Sequence, residues 1–167
     1  MPRVLEDGDS ESLPGPRVRM RWRCNRICHV RLTEQQARER LASVPVVRLG
    51  TADAAGRPHL VPMTFAVDGD RIYSAVDHKP KKSRDLRRLH NIRENPRAAV
   101  LADHYEDDWA RLWWVRCDGR AAIMDAESAM ARPLRLLAQR YEQYRRVAPA
   151  GPVIAITVER WIGWSGS

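Results

Sequence analysis

Lysine is nearly missing from this 167-residue chain: Lys79, Lys81 and Lys82 fall within four consecutive positions, and the remaining 26 of its 29 basic residues are arginine. Phenylalanine occurs once, as Phe65, against six tryptophans. Cysteine is scarce as well, and Cys24, Cys28 and Cys117 cannot all pair with one another, which argues against a disulfide framework. No apolar run approaches the ~20 residues that a bilayer span needs. The N-terminal segment lacks the apolar core of a secretory signal, so a cytoplasmic protein with no membrane partner is expected. Gly-x-Gly-x-x-Gly, a Walker loop and a Gly-x-Ser-x-Gly elbow are absent, which leaves Rossmann binding, P-loop binding and serine hydrolysis without support. The five histidines are scattered, and Cys24-x3-Cys28-His29 is followed by no second ligand pair at finger-like distance, so no metal site is expected.

What is present is a strongly basic chain, with net charge +8, a pI near 10.1 and 44% hydrophobic residues. One domain with one core suits this length. The charge points to an acidic partner, which could be nucleic acid, an anionic surface or a phosphorylated small molecule. The lysine window has the address of an anion site, because His78-Lys-Pro-Lys-Lys-Ser-Arg84 follows an apolar run and precedes a helical pattern of Leu86, Leu89 and Ile92. Helix starts present free N–H groups and the positive dipole end to anions, and lysine is a mobile point charge that can follow a phosphate. The competing reading is a solvated basic turn.

Residues 1–31 pass from an acidic Ser/Gly/Pro stretch into a basic one and read as a disordered extension; residues 32–167 read as the folded domain. Thr33 with Gln36 predicts a capping box and a helix to about Ala42. Strands are predicted over Val46–Ala52, His59–Val67 and Arg71–Val76, joined by the turns Asp53-Ala-Ala-Gly56 and Asp68-Gly-Asp70. Both faces of His59–Val67 are apolar, so packing on each side is expected, one side of it open to a ligand. A helix over Lys81–Arg93 is closed by Asn95-Pro96. Strands over Arg97–Asp103 and Leu112–Met124, a helix over Ala126–Arg146 interrupted at Pro133, and a last strand over Val153–Trp164 complete the pattern. Six antiparallel strands and three helices make an α+β domain. Adjacent Trp113 and Trp114 point to opposite faces of one strand, and burying both suits an obligate dimer. A stacking platform for nucleic acid ranks below that, because the tryptophans are embedded in apolar sequence.

The run Gly50-Thr-Ala-Asp-Ala-Ala-Gly-Arg-Pro-His-Leu-Val-Pro-Met-Thr-Phe65, followed by Asp68-Gly-Asp70, Arg71-Ile-Tyr73, Lys79-Pro-Lys-Lys-Ser-Arg-Asp-Leu86 and Asn95-Pro-Arg97, resembles the pyridoxamine 5'-phosphate oxidase-like split β-barrel superfamily. His104-Tyr-Glu-Asp-Asp-Trp109 and Leu112-Trp-Trp-Val115 resemble its actinobacterial branch that uses the deazaflavin coenzyme F-420. The resemblance implies a homodimer with two cofactor sites at the subunit interface and hydride transfer to an unidentified small-molecule substrate. FMN is the alternative cofactor, and a carrier without turnover is the alternative role. Carried over by position, Val61, Pro62, Met63 and Thr64 would face the ring with Ala75 and Val76. Lys81 and Lys82 would hold the phosphate, with Lys79, Ser83 and Arg84 beside them. Trp113 would approach from the partner subunit. Pyridoxamine phosphate oxidation itself is not implied, since the oxidase glutamine near Leu112 and the C-terminal tryptophan-and-arginine pattern have no match here. No catalytic side chain is assigned; Tyr73, His104 and Tyr105 are the candidates for a general acid.

Overall fold

Thr33 caps the first helix as its spacing predicts. Its hydroxyl accepts the Gln36 backbone N–H at 3.3 Å and the Gln36 side-chain Oε1 accepts the Thr33 N–H at 2.9 Å. The computed structural model describes residues 30–76 and 86–166. Within them lie β1 (Val30–Arg31), α1 (Glu34–Ser43), β2 (Val47–Ala52), β3 (Pro58–Met63), β4 (Ala66–Asp68), β5 (Arg71–Ala75), α2 (Arg87–Glu94), β6 (Arg97–His104), β7 (Trp113–Met124), α3 (Glu127–Arg140), α4 (Glu142–Arg146) and β8 (Val153–Ser165). A single 3-10 turn, Trp109–Arg111, precedes β7.

All strand pairs are antiparallel, in the order β3-β2-β6-β7-β8-β5-β4, and β1 adds to β8. Only Thr64 and Phe65 separate β3 from β4 in sequence, yet these strands are the two ends of the sheet path. The sheet therefore curls until its ends approach, which is the split barrel that the resemblance implies. Curvature is helped where β7 meets β8: the register shifts between Asp118 and Gly119, so that β8 carries an extra residue. A Cβ on Gly119 would run into the Thr157 carbonyl oxygen. Only glycine lets the strands approach that closely.

Alternation fills the interior. Trp113, Val115, Cys117 and Ala121 of β7 are buried, while Arg116 and Arg120 between them point outward. They join Val47, Leu49, Phe65, Ile72, Val100, Ile154 and Ile156 in one core. Helix α1 contributes Ala37 and Leu41 to it, and α2 contributes Leu89 and Ile92. Each fully buried Leu or Ile stabilises the fold by roughly 1.5–3 kcal/mol. On the outside, α3 lays Leu137 on Ala66, Tyr73, Ala75 and Val153 to form a second, smaller core. No described helix is long and apolar enough to cross a membrane.

Eight strands rather than six result from two departures from the sequence pattern. The continuous apolar run His59–Val67 breaks at Thr64-Phe65, where the chain turns the corner of the barrel. Val30–Arg31, assigned to the extension, pairs with Trp164 and Ser165. The third predicted helix does not break at Pro133. That residue is buried within α3, where Met130, Leu134 and Leu137 pack on the barrel, and the interruption comes at Tyr141 instead. Packing outweighs the single backbone hydrogen bond that proline removes. The second helix is described from Arg87, after an extended Leu86 cap, and its predicted start at Lys81 lies outside the described residues.

Candidate functional site

The corner between β3 and β4 is fastened from outside by the end of α3 and the start of α4. The Tyr141 hydroxyl accepts the Phe65 N–H at 3.0 Å and lies 2.7 Å from the Pro45 carbonyl and 3.0 Å from that of Phe65. Arg140 stacks over the Phe65 ring at 4.4 Å and donates to the carbonyls of Ala42 and Val44. Thr64 and Tyr144 share a hydroxyl–hydroxyl bond of 2.8 Å. These residues were not singled out from sequence; the signal available was Tyr141-x2-Tyr144 directly after a helix, too common a spacing to carry a role.

Of the residues expected to face a ring, Met63 is buried in the barrel and Val61 packs half-buried against the same core, whereas Pro62 is exposed and Thr64 is held by Tyr144. Leu60 on the outward row is 66% exposed, so the expectation that both faces of this strand are packed fails within one chain. Strand β3 is an edge, and one row of its backbone N–H and C=O groups has no strand partner among the described residues. Ala75 is buried under α3 in the second core, and Val76 packs against the main core, closed over by Gly151. Tyr73 is only 4% exposed beneath the same helix, which takes it out of contention as a proton donor to a ligand. Lys79, Lys81, Lys82, Ser83 and Arg84 lie outside the described residues, as do Cys24, Cys28 and residues 1–29.

Trp113 stands at the other end of the β7–β8 ladder. It pairs with Ser165, while Met124 at the far end pairs with Val153, and Val153 pairs with Ala75. Eleven strand steps of about 3.3 Å separate the two ends. An open cleft of about 400 Å³ lies beside Trp113, lined also by Arg40, His104, Ala110, Arg111, Ser165 and Gly166. The Arg40 guanidinium lies 5.5 Å from the indole centroid and the His104 ring stacks on the indole at 6.4 Å. Glu106 braces the rim, 3.2 Å from His104 Nε2 and 2.9 Å from Arg111 Nε.

Two carboxylates are held below their ordinary range. Asp53 accepts the backbone N–H of Arg57 at 3.0 Å, the Arg57 Nε at 2.7 Å and the Ala55 N–H, fixing the turn before β3. Asp70 is held down by the Arg38 guanidinium, which also donates to Glu34 and to the Gly69 carbonyl and stacks 4.3 Å over Trp161. Burial, aided by Asp118, pushes the Cys117 thiol up to about 12, so it is no nucleophile at neutral pH.

The pyridoxamine 5'-phosphate oxidase family model matches residues 33–165. The chain belongs to this family. Members and relatives of known structure share its fold at low identity. An FAD-binding protein from Mesorhizobium loti is 20% identical with a TM-score of 0.66, over 84% of this chain and 100% of that one. A conserved hypothetical protein from Mycobacterium tuberculosis is 22% identical with a TM-score of 0.65, over 80% and 85%. The heme storage protein HutZ from Vibrio cholerae is 14% identical with a TM-score of 0.59, over 80% and 94%. At these identities the likeness carries the fold alone. No curated protein matches the chain.

Proposed function

We propose that this member of the pyridoxamine 5'-phosphate oxidase family is a homodimeric oxidoreductase that binds a flavin-type coenzyme along the β3 edge. The observation that carries the reading is the β3 edge, whose outer row of backbone N–H and C=O groups has no strand partner among the described residues and stays open to a ligand. The outer face of β3-β2-β6-β7-β8 suits a second copy. It presents Leu60, Gly50, Ala99, Leu101, Trp114 and Ile162, and two of the arginines among them are paired, Arg48 with Asp103 and Arg116 with Asp118.

The unpaired backbone row of β3 fits the edge of an isoalloxazine or deazaflavin ring, which carries both donors and acceptors. Val61 to Thr64 would hold that edge, and Tyr144 fixes the last of them in place. Lys79, Lys81 and Lys82 would take the phosphate as mobile point charges. A bound coenzyme of this type supplies hydride transfer, while the protein supplies position and exclusion of water. The finer reading is the deazaflavin coenzyme F-420, with a small-molecule acceptor; the lysine window supports it, because that coenzyme adds an anionic tail to its phosphate.

Titration with oxidised F-420 and with FMN, alongside sedimentation of the protein, tests the reading. Binding of one coenzyme at micromolar concentration or below by a dimer is expected, and Lys82→Ala should weaken it by about 10- to 150-fold, the equivalent of losing one charge-assisted contact of ~1.5–3 kcal/mol. A monomer that binds neither coenzyme would remove the proposal. Binding without turnover across quinone and enone acceptors would leave a carrier.

A further inference from the structure

We infer that the cleft beside Trp113 is a binding site for a planar organic anion. Its charged side chains are the guanidiniums of Arg40 and Arg111, and with His104 they converge from three separate elements: Arg40 from α1, His104 from the end of β6 and Arg111 from the 3-10 turn. Arg40 has no acidic partner among the described residues. Its guanidinium carbon lies 5.5 Å over the Trp113 ring, and its N–H groups meet no acceptor among the described residues. Arg111 meets Glu106 through Nε at 2.9 Å, on one edge of its exposed guanidinium. Glu106 thus draws Arg111 and His104 together at the rim of the cleft.

The walls explain the shape of the ligand. Guanidinium, imidazole and indole are all flat, and His104 lies within 21° of parallel to the Trp113 indole. One side is closed by the C-terminal segment, where the Gly166 N–H donates to the Leu112 carbonyl at 2.8 Å. A side chain on Gly166 would strike the Trp109 carbonyl, so glycine lets this wall lie against the 3-10 turn. A thin, negatively charged molecule matches such a slot, with its anionic group on the two guanidinium forks and its ring against the flat walls. The site stands on the geometry of one chain; its role as the place of the acceptor rests on the dimeric oxidoreductase reading, in which this end of β7 approaches the partner's coenzyme.

The test uses the protein without added coenzyme, so its outcome is separate from that of coenzyme binding. Titration by calorimetry compares 2-naphthoate, 2-naphthyl phosphate and the neutral 2-naphthamide. At least one anion should bind tenfold or more tightly than the amide, and the tighter of the two names the head group. Arg40→Gln and Arg111→Gln should each weaken that anion about tenfold or more, whereas Arg135→Gln on the exposed side of α3 should leave it unchanged. Equal binding of anion and amide, or wild-type affinity in the folded Arg40→Gln and Arg111→Gln proteins, would overturn the assignment.

Discussion

The barrel corner and the Trp113 cleft use the same chemistry, arginine laid on an aromatic ring, to opposite ends. At the corner Arg140 stacks on Phe65, its Nη2 donates to the carbonyls of Ala42 and Val44 and its Nε to the Tyr141 hydroxyl, which in turn serves Phe65 and Pro45. In the cleft Arg40 stacks on Trp113 and its nitrogens meet no described acceptor. A saturated arrangement holds a shape. An unsaturated one, held beside a ring, is available to something else. Burial follows the same division, since Leu137 and Tyr73 near the corner are almost fully enclosed and Arg40 and Arg111 are exposed.

The comparison breaks most severely at Leu137. Leu137→Ala removes a fully buried side chain from the small core under α3 and should cost about 2–5 kcal/mol in urea unfolding. A loss below ~1 kcal/mol would mean that α3 is not what secures the corner. Tyr141→Phe is gentler and more specific, because it keeps the ring and deletes only the hydroxyl. It should cost about 1–3 kcal/mol, leaving the buried Phe65 N–H without its acceptor.

Acid sharpens the comparison by acting on a third arginine contact, that of Arg38 with Asp70. The Asp70 carboxyl is held below its ordinary 3.8, so the pair contributes stability above that value and loses it as pH falls through the lowered one. Asp70→Asn should therefore be less stable than wild type at pH 7, and the gap between their urea midpoints should narrow at lower pH. A gap that widens in acid would reverse the assignment. The smallest effect belongs to the cleft: Arg40→Gln should change stability by less than ~0.5 kcal/mol, since no described acceptor depends on it. Equal destabilisation by Arg40→Gln and Tyr141→Phe would erase the distinction between the two regions.

Much of this architecture is legible in the sequence where local rules decide it. Thr33 and Gln36 announce α1, the Asp68-Gly69-Asp70 turn joins β4 to β5 with Gly69 at φ 58°, and Asn95-Pro96 ends α2. The corner at Thr64-Phe65 is not legible, because the apolar run from His59 to Val67 continues through it and only the closing of the sheet demands a bend. Pro133 misleads for the same reason: the propensity is local and the packing that overrides it is not. As for the site, Trp113 was visible as one of two adjacent tryptophans, but Arg40 and Arg111 are far apart in sequence and look like any other arginine in a chain with 26 of them. Only the return of β8 beside β7 and α1 brings them to one cleft.

Strand β8 is the last described element, yet it pairs with β1, β5 and β7, and so sits in the middle of the sheet. During synthesis the barrel is therefore a set of staves with its central one missing, and β5 waits without its neighbour until residues 153–165 emerge. Such long-range pairings close slowly and only after almost the whole domain has been made. Until then the apolar inner rows of β5 and β7, Ile72 and Ala121 among them, face water beside open strand edges. The interval between the synthesis of Met124 and that of Ser165 is the time in which this chain is most exposed to aggregation, and α3, encoded inside that interval, covers only the outer face around Ala66, Tyr73 and Ala75, not these inner rows.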